Sequence, residues 1–217
     1  MMKKMMVFGF ALGLTMAAFA AVVDGTAYLL DVGETDTFTG TATIPKFTVN
    51  GTFTIGADST LTVSGSTTVT SIIATNAGIN ATVNLESGAT LDIQSYESAN
   101  SSQALAIGKL GGTGTVNVAN GALLKASQRI RVGCNASSAE ERQLPTLGII
   151  NLAGTLQCAW LELAAFFPNA TEWVNDTNRY MRAAVVNLLP GGLLKPNTIS
   201  VNDAGIATLN LQGGLRN

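Results

Sequence analysis

The 217-residue chain contains no histidine, only two cysteines and five prolines, and just 12% of its residues are charged. The missing histidine removes the Ser-His-Asp and Cys-His nucleophile systems and the commonest zinc ligand. Lys and Arg number 12 against 14 Asp and Glu, a net charge of −2. That balance lacks the basic excess that neutralises phosphates, which argues against nucleic acid as a partner. Charge is scarce against the roughly 25% of ordinary soluble domains. The surface must therefore be made polar by Thr, Ser and Asn, in which the chain is rich. No calcium-loop spacing of Asp, Asn and Gly occurs, so neither a metal nor any other cofactor is indicated.

The N-terminus reads as an export signal. Lys3 and Lys4 precede an uncharged apolar run from Val7 to Ala17, and Ala18-Phe19-Ala20 has the small-x-small form of a cleavage site. With roughly 14 apolar residues the segment is short of the ~20 that span a bilayer. Residues 1–20 are thus expected to be removed, leaving 217 − 20 = 197 residues without a membrane span. The destination is the cell surface or the extracellular space, with the periplasm as a further possibility. In such an oxidising compartment Cys134 and Cys158 could form a disulfide, worth ~3 kcal/mol in the chain-entropy account. The alternative is that both are small buried apolar side chains.

The most informative feature is a repeated phrase. It runs FTVNGTFTIG from Phe47, ATVNLESGATLDI from Ala81, GTVNVANGALLKA from Gly114, GIINLAGTLQC from Gly148, AVVNLLPGGLLKP from Ala184 and ATLNLQGGL from Ala207. Its asparagines are Asn50, Asn84, Asn117, Asn151, Asn187 and Asn210, spaced by 34, 33, 34, 36 and 23 residues. Each phrase, and shorter ones such as RIRVG and WLEL, alternates apolar with polar residues and is bounded by Gly, Asn, Asp or Ser. That is the pattern of short half-buried strands. Strand units that cannot bury a face alone must stack on their neighbours, which predicts an all-β solenoid with ~34-residue repeats.

Stacked coils lie ~4.8 Å apart, so repeated like charges would repel whereas Thr and Asn can form hydrogen-bonded ladders. The repeat asparagines sit between inward apolar residues and are expected to form an outward amide ladder from Asn50 through Asn84, Asn117 and Asn151 to Asn187. A row of glycan-contacting amides is the alternative. Eight residues further on, Asp92, Lys125 and Lys195 also face outward, with Asp92 stacked beneath Lys125.

Three polar interruptions, Gln94 to Gln103, Asn135 to Thr146 and Pro168 to Arg182, read as insertions on the interaction side. Asn169 and Glu172 form a capping-box pattern, predicting a short helix from about Ala170 to Arg179. Trp160 should be the outward member of its strand, covered by that insertion. Residues 21–46 lack the repeat phrase and carry Asp24, Asp31, Glu34 and Asp36, so they are expected to cap repeats 47–217 within one domain. No cap is evident after the last repeat. End-to-end self-association is one consequence, a longer natural chain the other.

The phrases LTVSG, VNLESGATLDI and IGKLGGTGTVNVANGALL resemble the strand repeats of bacterial autotransporter passengers and similar exported repeat proteins, over most of residues 47 to 215. The resemblance implies a right-handed parallel β-helix and a role as an adhesin or envelope protein.

Three functions are weighed. The first is an exported structural or adhesive surface protein without catalysis, whose partners are surface glycans or envelope proteins. The second is a secreted glycan-binding module using Trp173, Arg179, Tyr180 and Arg182 in the insertion at 168–182. The third is a polysaccharide lyase or hydrolase. It would need paired acids and a basic group along a groove. Arg129 and Arg131 share a strand face suited to a uronate, but the acids, among them Asp92, Glu162 and Asp203, are scattered.

Overall fold

Alternating apolar and hydroxyl residues become seventeen short strands in a computed structural model that describes residues 22–65, 69–95, 103–134, 144–164, 182–201 and 205–212. In chain order they are β1 (Tyr28–Leu30), β2 (Thr35–Phe38), β3 (Thr41–Ile44), β4 (Phe47–Val49), β5 (Thr52–Ile55) and β6 (Thr60–Gly65). Then come β7 (Val69–Ile73), β8 (Asn80–Leu85), β9 (Thr90–Ser95), β10 (Gln103–Lys109), β11 (Thr113–Val118) and β12 (Leu123–Cys134). The last are β13 (Thr146–Leu152), β14 (Thr155–Leu163), β15 (Arg182–Leu188), β16 (Leu193–Val201) and β17 (Ile206–Leu211). All pairing is parallel, each strand lying on its equivalent one coil away, and the fold is the expected parallel β-helix.

Three faces enclose one core. The first is a seven-stranded sheet in the order β17-β15-β13-β11-β8-β5-β2. The second holds β3, β6, β9 and the first halves of β12, β14 and β16. The third holds β1, β4, β7, β10 and the second halves of those long strands. The long strands turn the corner between the two faces, with a register shift between Ala126 and Arg129.

Inward side chains stack in columns, such as Phe53, Val83, Val116, Ile150 and Val186 on the first face. All five are buried, and each contributes about 1.5–3 kcal/mol of apolar burial. At most of the corners from the first to the second face one residue takes a positive φ. Gly88, Gly121 and Gly191 supply it at φ +77°, +81° and +87°, and Asp58 takes the place at +57°. This explains the glycine four residues after Asn84, Asn117 and Asn187; the shorter corner after Asn151 turns at Gly154 without a positive φ.

Several expectations are corrected. In the segment expected as a cap, β1, β2 and β3 pair in parallel with β4, β5 and β6, so this end of the solenoid is itself a regular first coil. Asn50 is not the first rung of the ladder. It follows β4 on the third face, where its Oδ1 accepts the Thr75 N–H at 3.1 Å and the Thr75 hydroxyl at 2.9 Å. Thr54 occupies the rung below Asn84 instead, so the first interval is 84 − 54 = 30 residues. Cys134 and Cys158 are free and buried. Register sets Cys158 beside Ala126, eight residues along the strand from Cys134, and far beyond the Cα separation that a disulfide tolerates.

The signal at residues 1–20, the helix at Ala170 to Arg179 and the insertion residues Trp173, Arg179 and Tyr180 lie outside the described residues. Among the described residues, no helix is long and apolar enough to cross a membrane.

Candidate functional site

The outward surface of the first face begins with threonine and ends with asparagine. One column runs Thr37, Thr54, Asn84, Asn117, Asn151, Asn187 and Asn210. Alternation turns these side chains away from the core, and parallel register places each above the last. The amides then pair head to tail. Asn117 donates to Asn84 at 2.8 Å, and Asn151 to Asn117, Asn187 to Asn151 and Asn210 to Asn187 each at 2.7 Å. Asn84 reaches the Thr54 hydroxyl at 3.4 Å. The expected ladder is therefore present from Asn84 to Asn187 and continues to Asn210.

A second column holds Thr35, Thr52, Thr82, Thr115, Ile149, Val185 and Thr208. A third holds Asn80, Thr113, Leu147, Ala183 and Ile206. None of these outward positions carries a charge. The face is a flat array of hydroxyl, amide and methyl groups with a rise of ~4.8 Å per coil.

On the second face the Lys125 ammonium lies 3.1 Å from Asp92, as the stacking of Asp92 beneath Lys125 predicts. Gln94 also donates to Asp92, at 3.0 Å. Lys125 is substantially exposed, so the pair is worth at most ~1 kcal/mol and chiefly fixes register. The next rungs are Gln157 and Lys195.

The third face carries the main cluster of charge. Arg129 and Arg131 point outward on β12, and Glu162 on the next coil receives both. Arg129 Nη1 donates to Oε1 at 2.6 Å and Arg131 Nε to Oε2 at 2.5 Å. Arg129 also lies over the Trp160 ring, 3.8 Å from its centroid, a cation–π contact that fixes the ring on this face. Burial lowers the Arg129 guanidinium from its ordinary value, while Glu162 pulls it back up. Sequence reasoning paired the two arginines with a substrate uronate. The chain's own Glu162 fills that role, and both arginines are buried.

Arg182, expected at a ligand surface, is fully buried at the start of β15, on the same parity as Ala184 and Val186. Its guanidinium is not presented outward. Among the described residues Asp92 is committed to Lys125 and Glu162 to the two arginines, and Asp203 lies outside them. Among the described residues no group of three His, Cys, Asp or Glu could hold a metal ion. The two thiols are inert by burial, which pushes Cys134 up to about 11 and Cys158 up to about 12.

No protein-family model, no curated protein and no solved structure matches the chain.

Proposed function

We propose that the chain is an exported structural or adhesive surface protein that works without catalysis. The observation that carries this reading is the first face, seven strands wide, whose outward positions hold only Thr, Asn and aliphatic side chains. Such a surface has no titratable group to move a proton. It offers hydrogen bonds and methyl contacts repeated every ~4.8 Å, suited to a broad contact with an uncharged partner. Surface glycans and envelope proteins of low charge are the partners that fit this chemistry. Export follows from residues 1–20, and the resemblance to passenger repeats points the same way.

The test is retention of the purified chain on neutral and acidic polysaccharides and on envelope preparations, with new reducing or unsaturated ends scored in parallel. Retention without product, abolished by Thr115→Lys with Ile149→Lys, is the expected result. Product formation would replace this reading with the lyase or hydrolase. Retention that survives those lysines but fails in Trp173→Ala would replace it with the glycan-binding insertion. Absence of retention throughout would remove the adhesive role and leave a structural one.

A further inference from the structure

The two ends of the solenoid are finished differently. In the first coil the inward residues Tyr28 and Leu30 are 4% and 1% exposed, whereas in the last coil Ile199, Val201, Leu209 and Leu211 are 45%, 56%, 42% and 51% exposed. The first coil is sealed by three rings, with Tyr28 4.9 Å from Phe53 and Phe47 5.2 Å from Phe53. The Tyr28 hydroxyl donates to Asp36 at 2.7 Å. The edge of β3 is blunted too, since the Thr43 N–H donates to the Asp24 carboxylate and its carbonyl accepts from Gly25, both at 2.7 Å. Among the described residues the last coil has neither device. Unpaired strand edges above an open apolar core are a site of association.

We infer that the last coil docks against the last coil of a second copy of this chain about a two-fold axis through the middle of β17. The first coil keeps its inward side chains buried and offers no open apolar surface to match, which disfavours head-to-tail stacking. The symmetric arrangement, by contrast, fits the residues. A two-fold there lays β17 antiparallel on its copy and exchanges the second and third faces, so the first half of β16 meets the second half of the copy's β16.

Inward positions of β16 are Leu194, Pro196, Ile199 and Val201, fixed by their register with Leu156, Cys158, Leu161 and Leu163. The step at the corner makes this set symmetric. Leu194 falls opposite Val201 of the second copy and Pro196 opposite Ile199 of the second copy, inward against inward. On β17, Leu209 lies at the axis, with Ala207 opposite Leu211 of the second copy. Lys195 is the one charged residue within β16 and β17, and it falls opposite Ser200 rather than its own equivalent, so no like charges meet. Pro196 lacks an N–H, so apolar packing dominates along β16 and β17 supplies the main-chain ladder. An isologous contact of this kind closes as a dimer and does not propagate.

Sedimentation velocity on the full chain should give the mass of two chains. Ile199→Lys with Leu209→Lys should halve it with an unchanged circular dichroism spectrum, and Leu29→Lys at the other end should leave the dimer intact. The pair Lys195→Cys with Ser200→Cys should give a covalent dimer on oxidation, whereas either single cysteine should not. A monomeric wild type, a ladder of higher species, or a dimer dissolved by Leu29→Lys would overturn the inference. So would a dimer that the cysteine pair fails to cross-link. If the lysine variant does not fold, the cross-link alone decides.

Discussion

Replacing single rungs of the amide ladder by alanine should cost stability in an order set by position. Asn151 has two short bonds, 2.7 Å to Asn117 and 2.7 Å from Asn187, in a half-buried setting. At about 1 kcal/mol per bond, Asn151→Ala should cost ~2 kcal/mol. Asn84 has one comparable bond at 2.8 Å and a long one of 3.4 Å to Thr54, so Asn84→Ala should cost ~1 kcal/mol. Asn210 has a single, exposed bond, and its loss should cost about 0.5 kcal/mol. The change in strand propensity is common to all three substitutions, so the ranking isolates the ladder. Urea unfolding followed by circular dichroism reads it. With a slope of about 2 kcal/mol per molar, the Asn151 midpoint should fall by ~1 M and that of Asn210 by ~0.25 M. Equal shifts at the three sites, or the largest at Asn210, would refute the hydrogen-bonded ladder.

Other substitutions probe the remaining features. Glu162→Gln leaves two buried guanidiniums without their carboxylate and should cost about 3–5 kcal/mol in thermal unfolding; a loss below ~1 kcal/mol would contradict the pairing. Ser71 is fully buried, and its hydroxyl has no hydrogen-bond partner among the described residues. Ser71→Ala should therefore be neutral or stabilise by up to ~1 kcal/mol in the same assay, and a clear destabilisation would expose a missed partner. Alkylation followed by mass spectrometry should find two thiols that react only after unfolding, with no disulfide. Both thiols are raised by burial, so the folded chain keeps protons that the unfolded chain releases. Stability should be level below the ordinary thiol value of 9 and fall as pH climbs towards about 11 and 12, by ~1.4 kcal/mol per pH unit for each thiol. Cys158→Ala should remove its share, and an unchanged alkaline profile would refute the burial of Cys158.

The repeat and its alternation carried most of the fold because both follow from elementary geometry. A strand shows a side chain inward at every second residue, and parallel stacking returns the same side chain at every coil. That sufficed for the strands from β8 onward and for the rungs from Asn84 to Asn187. It failed at Asn50 because a period of two looks the same on every face. FTVN and GTFT are both valid strand phrases, and only pairing with β8 selects the second. The first coil was missed for a related reason, since threonine stands where later coils have asparagine.

The arginine cluster was half legible. Trp160 and Glu162 alternate with Leu161 and Leu163 and so had to face outward. Their stacking on Arg129 and Arg131 was hidden by two changes of interval, from 34 to 32 at the shorter β13–β14 turn and from 32 to 31 at the corner shift. Arg131 and Glu162 are 31 residues apart, whereas Asn117 and Asn151 on the same coils are 34 apart. Counting alternation back from Asn187 would have placed Arg182 inward. Its polar neighbours suggested a surface loop instead.

The central claim is that sequence intervals of very different length each amount to one coil. Spin labels on one column of the first face test it directly. Thr52 and Thr208 are five register steps apart, through Thr82, Thr115, Ile149 and Val185. Cysteine-directed labels at Thr52 and Thr208 should give one narrow distance near ~24 Å, and labels at Thr35 and Thr208 one near ~29 Å, at ~4.8 Å per coil. Distances that scale with residues between the labels, or a broad distribution at either pair, would contradict the stacked-coil account.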